Sequence, residues 1–335
     1  MSTRPAVGVI GGGGWGTALA LLMARSGHAV PLWVHNPDRA KAMAETRVNE
    51  AYLPGITLPE SIRPSSDPAE CLEADVLFVA VPSGHLPGVS QRVAQGLGSR
   101  TPILVSCTKG IERAEGLLMS EVIGKALPGC PVAVLSGPNL AGEIAGGAPA
   151  AGVVGSSNGA VLCLIQALFE GTPFRAYTSG DVRGIQLGGA LKNVFAIAAG
   201  VSDGLGLGEN ARAGLVTRSL AEMTRLGVAM GGCRETFQGL SGIGDLMVTC
   251  FSPRSRNHQV GFRLGKGESL EAIRASMTMV AEGIPTAASA RDSARRLGVE
   301  TPVIDEIHSL LEGKKTPAEG MRSLMSRGLK PEEVT

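Results

Sequence analysis

The sequence predicts an α/β chain in two parts, a doubly wound parallel sheet first and an all-α domain after it. Three observations predict this. The first half alternates short apolar runs with helical patterns, as βαβ units do. A glycine cluster, Gly11 to Gly16, follows the first apolar run and opens a helical stretch. After about Ser179 the strand-like runs stop and long helical patterns take over. The boundary is therefore expected near residue 180, with one domain at 1–180 and the other at 181–335. No repeat or flexible tether separates them, and a cleft between the two is expected to hold the active site.

Strands are expected at 6–10, 29–34, 76–81, 102–107, 132–135, 151–155 and 174–177. Most are rich in Val, Ile, Leu and Ala without alternation, as suits strands covered by helices on both faces. Between them, helices are expected at 15–26, 37–45, 85–95, 117–127 and 159–168. Asp181 then reads as the N-cap of a helix reaching Ala199. Further helices are expected at 212–226, 241–248, 269–275, 285–297 and 302–311.

Composition narrows the function classes. The 335 residues carry 31 Lys+Arg against 30 Asp+Glu, a net charge of +1, so no broad basic field exists to bind nucleic acid. Aromatic residues are only 3%, which leaves few stacking platforms for single strands. With 44% hydrophobic residues the chain can bury a full core. Its 47 glycines follow no Gly-X-Y period and must be placed motif by motif. The six cysteines form no CxxC pair and no His stands at zinc spacing from them, so no metal site is expected. Scattered thiols without a signal-peptide pattern suggest a reduced, cytoplasmic setting. No stretch approaches the roughly 18 uninterrupted apolar residues of a membrane helix, so stable membrane insertion is not expected.

The glycine cluster reads Gly11-Gly12-Gly13-Gly14-Trp15-Gly16. In a GxGxxG turn, Gly11 allows the tight bend, Gly13 lets the backbone reach a pyrophosphate, and Gly16 lets helix and strand pack closely. With a strand before it and a helix after it, the cluster predicts a Rossmann-like, dinucleotide-binding domain. The bland alternative is a glycine-rich turn. At the end of the second strand, where an NAD enzyme would place a carboxylate, stand His35 and Asn36, both potential donors to a 2′-phosphate. Asp38 fits better as a cap for the next helix. NAD or NADP therefore both remain open, with NADPH plausible.

Later strand ends carry further signals. Ser106-Cys107-Thr108-Lys109-Gly110 puts a lysine where ligands bind in this architecture, and Ser136-Gly137-Pro138-Asn139 leads small residues into a helix. In the second half, Lys192 and Asn193 interrupt a stretch that is otherwise small and apolar all round. Such a helix is buried, so Lys192 needs a partner unless it snorkels to solvent. Asp245, alone among glycines and apolar residues, is a candidate partner or else a helix cap. Ser255, Arg256 and Asn257 gather hydroxyl, guanidinium and amide donors suited to a small phosphate, unless the segment is simply a solvated loop. Glu282 follows Val280 and Ala281 in a Gly-bounded apolar setting suited to a cofactor hydroxyl.

Taken in order, GGGGWG, LPG at 53–55, SCTKG, LSGPN, LGGALKN, GLSGIGDL and SRN resemble the bacterial-type NAD(P)-dependent sn-glycerol-3-phosphate dehydrogenases. The resemblance implies reversible reduction of dihydroxyacetone phosphate to sn-glycerol 3-phosphate by hydride transfer from NAD(P)H, supplying glycerophospholipid synthesis. It implies that Lys192 is the general acid/base, with Asp245 beside it. Substrate contacts are implied at Lys109, Gly137, Asn139, Asp245, Ser255, Arg256 and Asn257. Coenzyme contacts are implied at Gly14, Trp15, His35, Lys109, Ala141, Arg256, Val280 and Glu282. Gly14 and Asn139 depart from the family pattern, which has a serine and a small hydroxyl residue there. A phosphorylated triose is the expected partner and a homodimer the expected assembly. Two rivals stay open: a carboxylate-binding reductase of the ketopantoate type, and a dinucleotide-sensing regulator without catalysis.

Overall fold

The structure, a computed structural model, describes residues 4–277, 280–329 and 331–332. The chain forms two compact units, Met1–Lys109 with Met119–Val182, and Gly110–Leu118 with Arg183–Thr335. The segment 110–118 thus departs from a single boundary near residue 180. Its ends are apolar: Ile111 and Leu118 bridge to each other and bury in the core of the second unit.

The strands are β1 (Val7–Ile10), β2 (Val30–Trp33), β3 (Val48–Asn49), β4 (Leu53–Thr57), β5 (Ile62–Ser65), β6 (Val76–Val79), β7 (Ile103–Ser106), β8 (Val132–Ser136), β9 (Ala150–Gly155) and β10 (Phe174–Ser179). Eight of them form one sheet in the order β10-β9-β8-β7-β6-β1-β2-β5, while β3 and β4 pair as a separate hairpin. The sheet is parallel except where β8 meets β9, with Leu135 opposite Val154. The link between those two strands holds only a five-residue helix in place of a full crossover, so the chain returns antiparallel. β3, β4 and β5 were not expected from their sequence. Their residues are largely polar or exposed, and β5 tolerates Pro64 because it lies at the sheet edge.

Helices α1 (Gly14–Arg25), α2 (Pro37–Thr46), α3 (Ala69–Leu72), α4 (Leu86–Leu97), α5 (Met119–Ala126), α6 (Ala141–Ala145) and α7 (Gly159–Ala167) accompany the sheet. The core strands β1, β2 and β6 are buried at every residue, as their apolar runs require.

The second unit is helical: α8 (Val182–Gly204), α9 (Glu209–Ala229), α10 (Asp245–Phe251), α11 (Arg256–Gly265), α12 (Leu270–Ser276), α13 (Gly283–Leu297), α14 (Pro302–Leu311) and α15 (Pro317–Met325). Among the described residues only α8 is long and apolar enough to cross a membrane, and its apolar window is wholly buried inside the unit, which makes it a core helix. α11 and α15 have no counterpart in the sequence reading. α11 begins where a donor-rich loop was one alternative, because the Ser255 hydroxyl caps it by accepting the His258 N–H.

Candidate active site residues in the two units

In the first unit the glycine turn leaves β1 at Gly11, whose φ of +120° disfavours any side chain, and whose N–H donates to the Trp33 carbonyl at 3.0 Å. A Cβ at Gly16 would stand 1.8 Å from the Gly11 carbonyl, so helix and turn meet there only as glycines. Gly13 faces open space, and no side chain caps the amides of the α1 N-terminus. Trp15 Nε1 and both amide atoms of Asn139 are buried without a hydrogen-bond partner. Open backbone, uncapped amides and orphaned buried donors fit a large polar ligand carrying phosphates, which is what a dinucleotide is.

The neighbouring strand ends bring Lys109 and Gly137 together: Lys109 Nζ donates to the Gly137 carbonyl at 2.8 Å. Gly137 has φ +134°, and a Cβ on it would lie 2.9 Å from Gly152 Cα. Ala141 opens α6, whose last carbonyls, Ile144 and Ala145, accept from the Arg25 guanidinium at 2.9 and 2.5 Å. A side chain at Gly14 would start 3.6 Å from Ala141 Cβ, so the space there is ordinary and a serine would fit. His35 is exposed beyond β2. Asn36, not Asp38, caps α2, its Oδ1 accepting the Arg39 N–H at 2.9 Å. The extended backbone of Asn36 places its short side chain over the helix start, whereas Asp38 already lies in the first turn.

In the second unit the catalytic candidates are built by glycine contacts. α8 presents Gly188 one turn before Lys192, and a Cβ there would lie 2.3 Å from the Ser241 carbonyl. Ser241 belongs to a wide π-type turn, Leu240–Gly244, in which Gly242 leaves the helical range and sits against the Phe237 carbonyl. This close approach delivers Asp245, the first residue of α10 and fully buried, to Lys192 Nζ. Lys192 also donates to Thr249 Oγ1 at 2.7 Å. Thr249 in turn donates to the Asp245 backbone carbonyl at 2.6 Å, one helical turn below. Two fixed acceptors therefore aim the ammonium group. Thr249 carries no motif of its own; its only signal in the sequence is the four-residue spacing from Asp245.

Beside this triad runs a chain of amides. Asn257 Nδ2 donates to Asn193 Oδ1 at 2.9 Å, and Asn257 Oδ1 accepts from Gly283 N at 2.8 Å. Asn257 thereby joins α8, α11 and α13. Arg256, exposed at the start of α11, donates from Nη1 to the Val280 carbonyl at 2.9 Å. Glu282 immediately precedes α13. The second unit thus gathers Lys192, Asp245, Ser255, Arg256, Asn257, Val280 and Glu282, while Lys109, Gly137, Asn139, Ala141 and the glycine turn belong to the first. Among the described residues no cluster of His, Cys, Asp or Glu is arranged to hold a metal ion.

Comparison with known proteins also finds two parts, with 110–118 falling in the first. The family model for the NAD-dependent glycerol-3-phosphate dehydrogenase N-terminus matches residues 6–162, and that for the C-terminus matches residues 181–322. The chain is 46% identical over 323 residues to a glycerol-3-phosphate dehydrogenase (NAD(P)+) of Sphingopyxis alaskensis, covering 96% of each. It is 47% identical over 330 residues to that of Syntrophotalea carbinolica, covering 97% of this chain and 99% of the relative. The crystal structure of glycerol-3-phosphate dehydrogenase from Coxiella burnetii superposes with a TM-score of 0.92 at 36% identity, over 97% of this chain and 99% of that one. A PanE/ApbA family ketopantoate reductase from Ralstonia eutropha reaches a TM-score of 0.60 at 16% identity and shares the fold alone.

Proposed function

We infer the reaction from one premise: the chain belongs to the NAD-dependent glycerol-3-phosphate dehydrogenase family. It is an NAD(P)-dependent oxidoreductase that reduces dihydroxyacetone phosphate to sn-glycerol 3-phosphate. The product feeds glycerophospholipid synthesis. The bound nicotinamide supplies the hydride. The observation that carries our assignment of roles is the buried Lys192 ammonium, fixed by Asp245 and Thr249 inside an otherwise apolar helix.

Lys192 donates its proton to the substrate oxygen as negative charge develops there, and takes it back in the reverse direction. Asp245 supplies the countercharge and, with Thr249, sets the direction of the ammonium, so little reorganisation is needed at the moment of transfer. The substrate phosphate is assigned to Arg256 and the start of α11, where guanidinium donors and helix amides both favour a dianion. Ser255 shapes that helix start as its cap. Asn257, its amide engaged with Asn193 and Gly283, keeps α11 in register with α8 as well as facing substrate. Lys109, Gly137 and Asn139 serve substrate from the first unit. Gly11, Gly13, Gly14, Trp15, Gly16, His35, Asn36 and Ala141 serve the coenzyme there, with Lys109 touching both ligands. Arg256, Val280 and Glu282 complete the coenzyme set. A reduced, cytoplasmic location suits six scattered thiols, and a homodimer is the assembly we propose.

The test is NAD(P)H oxidation at 340 nm with dihydroxyacetone phosphate, comparing wild type with Lys192→Ala. Turnover in the wild type and a loss of at least about 10²-fold in the variant is expected if Lys192 is the proton donor. A variant nearly as active as wild type removes Lys192 from the chemistry.

A further inference from the structure

We propose that Arg39 selects the coenzyme by binding the adenosine 2′-phosphate of NADP(H), and that the β3–β4 hairpin holds it in place; this rests on the dinucleotide reading above. In this architecture the adenosine ribose lies beyond the end of β2. A carboxylate there holds the 2′-hydroxyl of NAD, whereas a nearby arginine accommodates the 2′-phosphate of NADP. Val34, His35 and Asn36 supply no carboxylate. Asn36 spends its Oδ1 on capping α2, and Asp38 is exposed in the first turn of that helix, where an acid favours the helix dipole.

Arg39 follows in the same turn. Its guanidinium carbon stands 4.9 Å from the centre of the Tyr52 ring, and Nη1 donates to the Tyr52 hydroxyl at 2.9 Å. It pairs with no carboxylate among the described residues. A half-buried guanidinium held on an aromatic platform, with most of its five donors uncommitted, is pre-organised for a phosphate. The platform itself is tied to the glycine turn. Buried Asn49 donates from Nδ2 to the Gly12 carbonyl at 3.1 Å and to Thr17 Oγ1 at 2.8 Å, while the Tyr52 N–H donates to the Asn49 carbonyl at 3.1 Å. Tyr52 Cβ lies 3.8 Å from where a side chain at Gly14 would begin. The same loop that presents its backbone to the pyrophosphate therefore also positions the arginine. This gives the Leu53-Pro54-Gly55 block, which no catalytic role explains, a purpose in building β4, where Gly55 at φ +76° lies at the register shift between the Asn49–Leu53 and Val48–Thr57 pairs.

The experiment is direct binding, without turnover. NADPH, NADH and 2′,5′-ADP are titrated by calorimetry into the wild type, Arg39→Leu, Arg39→Lys and Tyr52→Leu. The wild type should bind 2′,5′-ADP, and bind NADPH more tightly than NADH. Arg39→Leu should weaken NADPH and 2′,5′-ADP by about 10–100-fold, the range for losing charge-assisted hydrogen bonds, and leave NADH within about 2-fold. Arg39→Lys and Tyr52→Leu should each show part of that loss. Retained NADH binding reports that each variant is folded. Equal losses for both coenzymes, or NADPH binding unmoved by Arg39→Leu, overturn the proposal while the dehydrogenase reading stands. A folded wild type that binds neither coenzyme overturns that reading and this proposal with it.

Discussion

Lys192 shows how a single charged residue is made tolerable in a core. An unpaired buried ammonium is costly, and here a carboxylate and a hydroxyl on one face of α10 receive it. The two acceptors should be separable by mutation. Thr249→Val removes one hydrogen bond to a charged group, worth about 1.5–3 kcal/mol, and should lower kcat by about 10–100-fold with KM nearly unchanged. Asp245→Asn removes the countercharge and should lower kcat further, in steady-state assays at saturating substrate. A second buried acid, Glu222, has a different role. It accepts the Val303 and Ile304 N–H groups at 3.0 and 2.9 Å, supplying the start of α14 with a cap from another helix. Burial nevertheless pushes its carboxyl from 4.5 up to about 7. Below pH 4.5 the group is protonated in both states. Between there and about pH 7 the folded state holds the extra proton, so its contribution to stability falls as pH rises. At about 1.4 kcal/mol per pK unit, the whole change is on the order of 3 kcal/mol. Glu222→Gln should flatten this dependence: thermal melts at pH 5 and pH 8 should shift in favour of Gln at the higher pH.

At the scale of elements, α8 and α11 meet through glycines. A Cβ at Gly200 would lie 2.0 Å from the His258 carbonyl, one at Gly261 1.9 Å from the Ile197 carbonyl, and one at Gly265 2.7 Å from the Val201 carbonyl. Two helices so close cannot admit even a methyl group, and this contact sets where Arg256 and Asn257 stand relative to Asn193. Gly261→Ala should therefore cost about 1–3 kcal/mol by overpacking and weaken substrate binding at the same time. Gly214, inside α9 with nothing near it, is the matched control. Gly214→Ala should stabilise the helix by about 0.4–1 kcal/mol and leave KM unchanged. Denaturant melts of the two variants, taken beside KM for dihydroxyacetone phosphate, check the pair.

Across the whole molecule the six thiols report on the packing of both units. Cys71 and Cys250 are buried and pushed up to about 12, and Cys107 is raised still further by complete burial. Cys163 and Cys233 are exposed, and Cys130 is half-buried. The native protein should therefore expose two fast thiols and one slower one to a disulfide reagent near pH 8. All six should react after unfolding in guanidinium, and reductant should leave the melting temperature unchanged. Fast reaction of a fourth thiol in the native state would contradict the packing around Cys71, Cys107 or Cys250.

Much of the fold is written locally. Seven strands of the main sheet lie within one or two residues of the runs expected for them; β1, β2 and β6 do so because a strand covered on both faces must be apolar throughout, whereas β10, at the sheet edge, carries polar and exposed residues. The glycine turn is local in part: Gly16 is demanded by the Gly11 carbonyl and Gly11 by its own φ, while the Ala80 carbonyl, 2.4 Å from where a Gly11 Cβ would stand, adds a demand from a distant strand end. The oddity of Lys192 in an apolar helix is likewise visible in the sequence alone. What the sequence leaves open is decided by contacts between distant segments. The hairpin at 48–57 has no apolar alternation and exists because Asn49 anchors it to the glycine turn. The reversal of β9 depends on how the chain leaves β8, and the capture of 110–118 by the second unit depends on where two apolar side chains find a core. Thr249 joins Lys192 because a π-type turn some fifty residues downstream of that lysine fits against Gly188. Propensity and periodicity act over a few residues, whereas partners for buried charge and space for a side chain are settled only when the whole unit has packed.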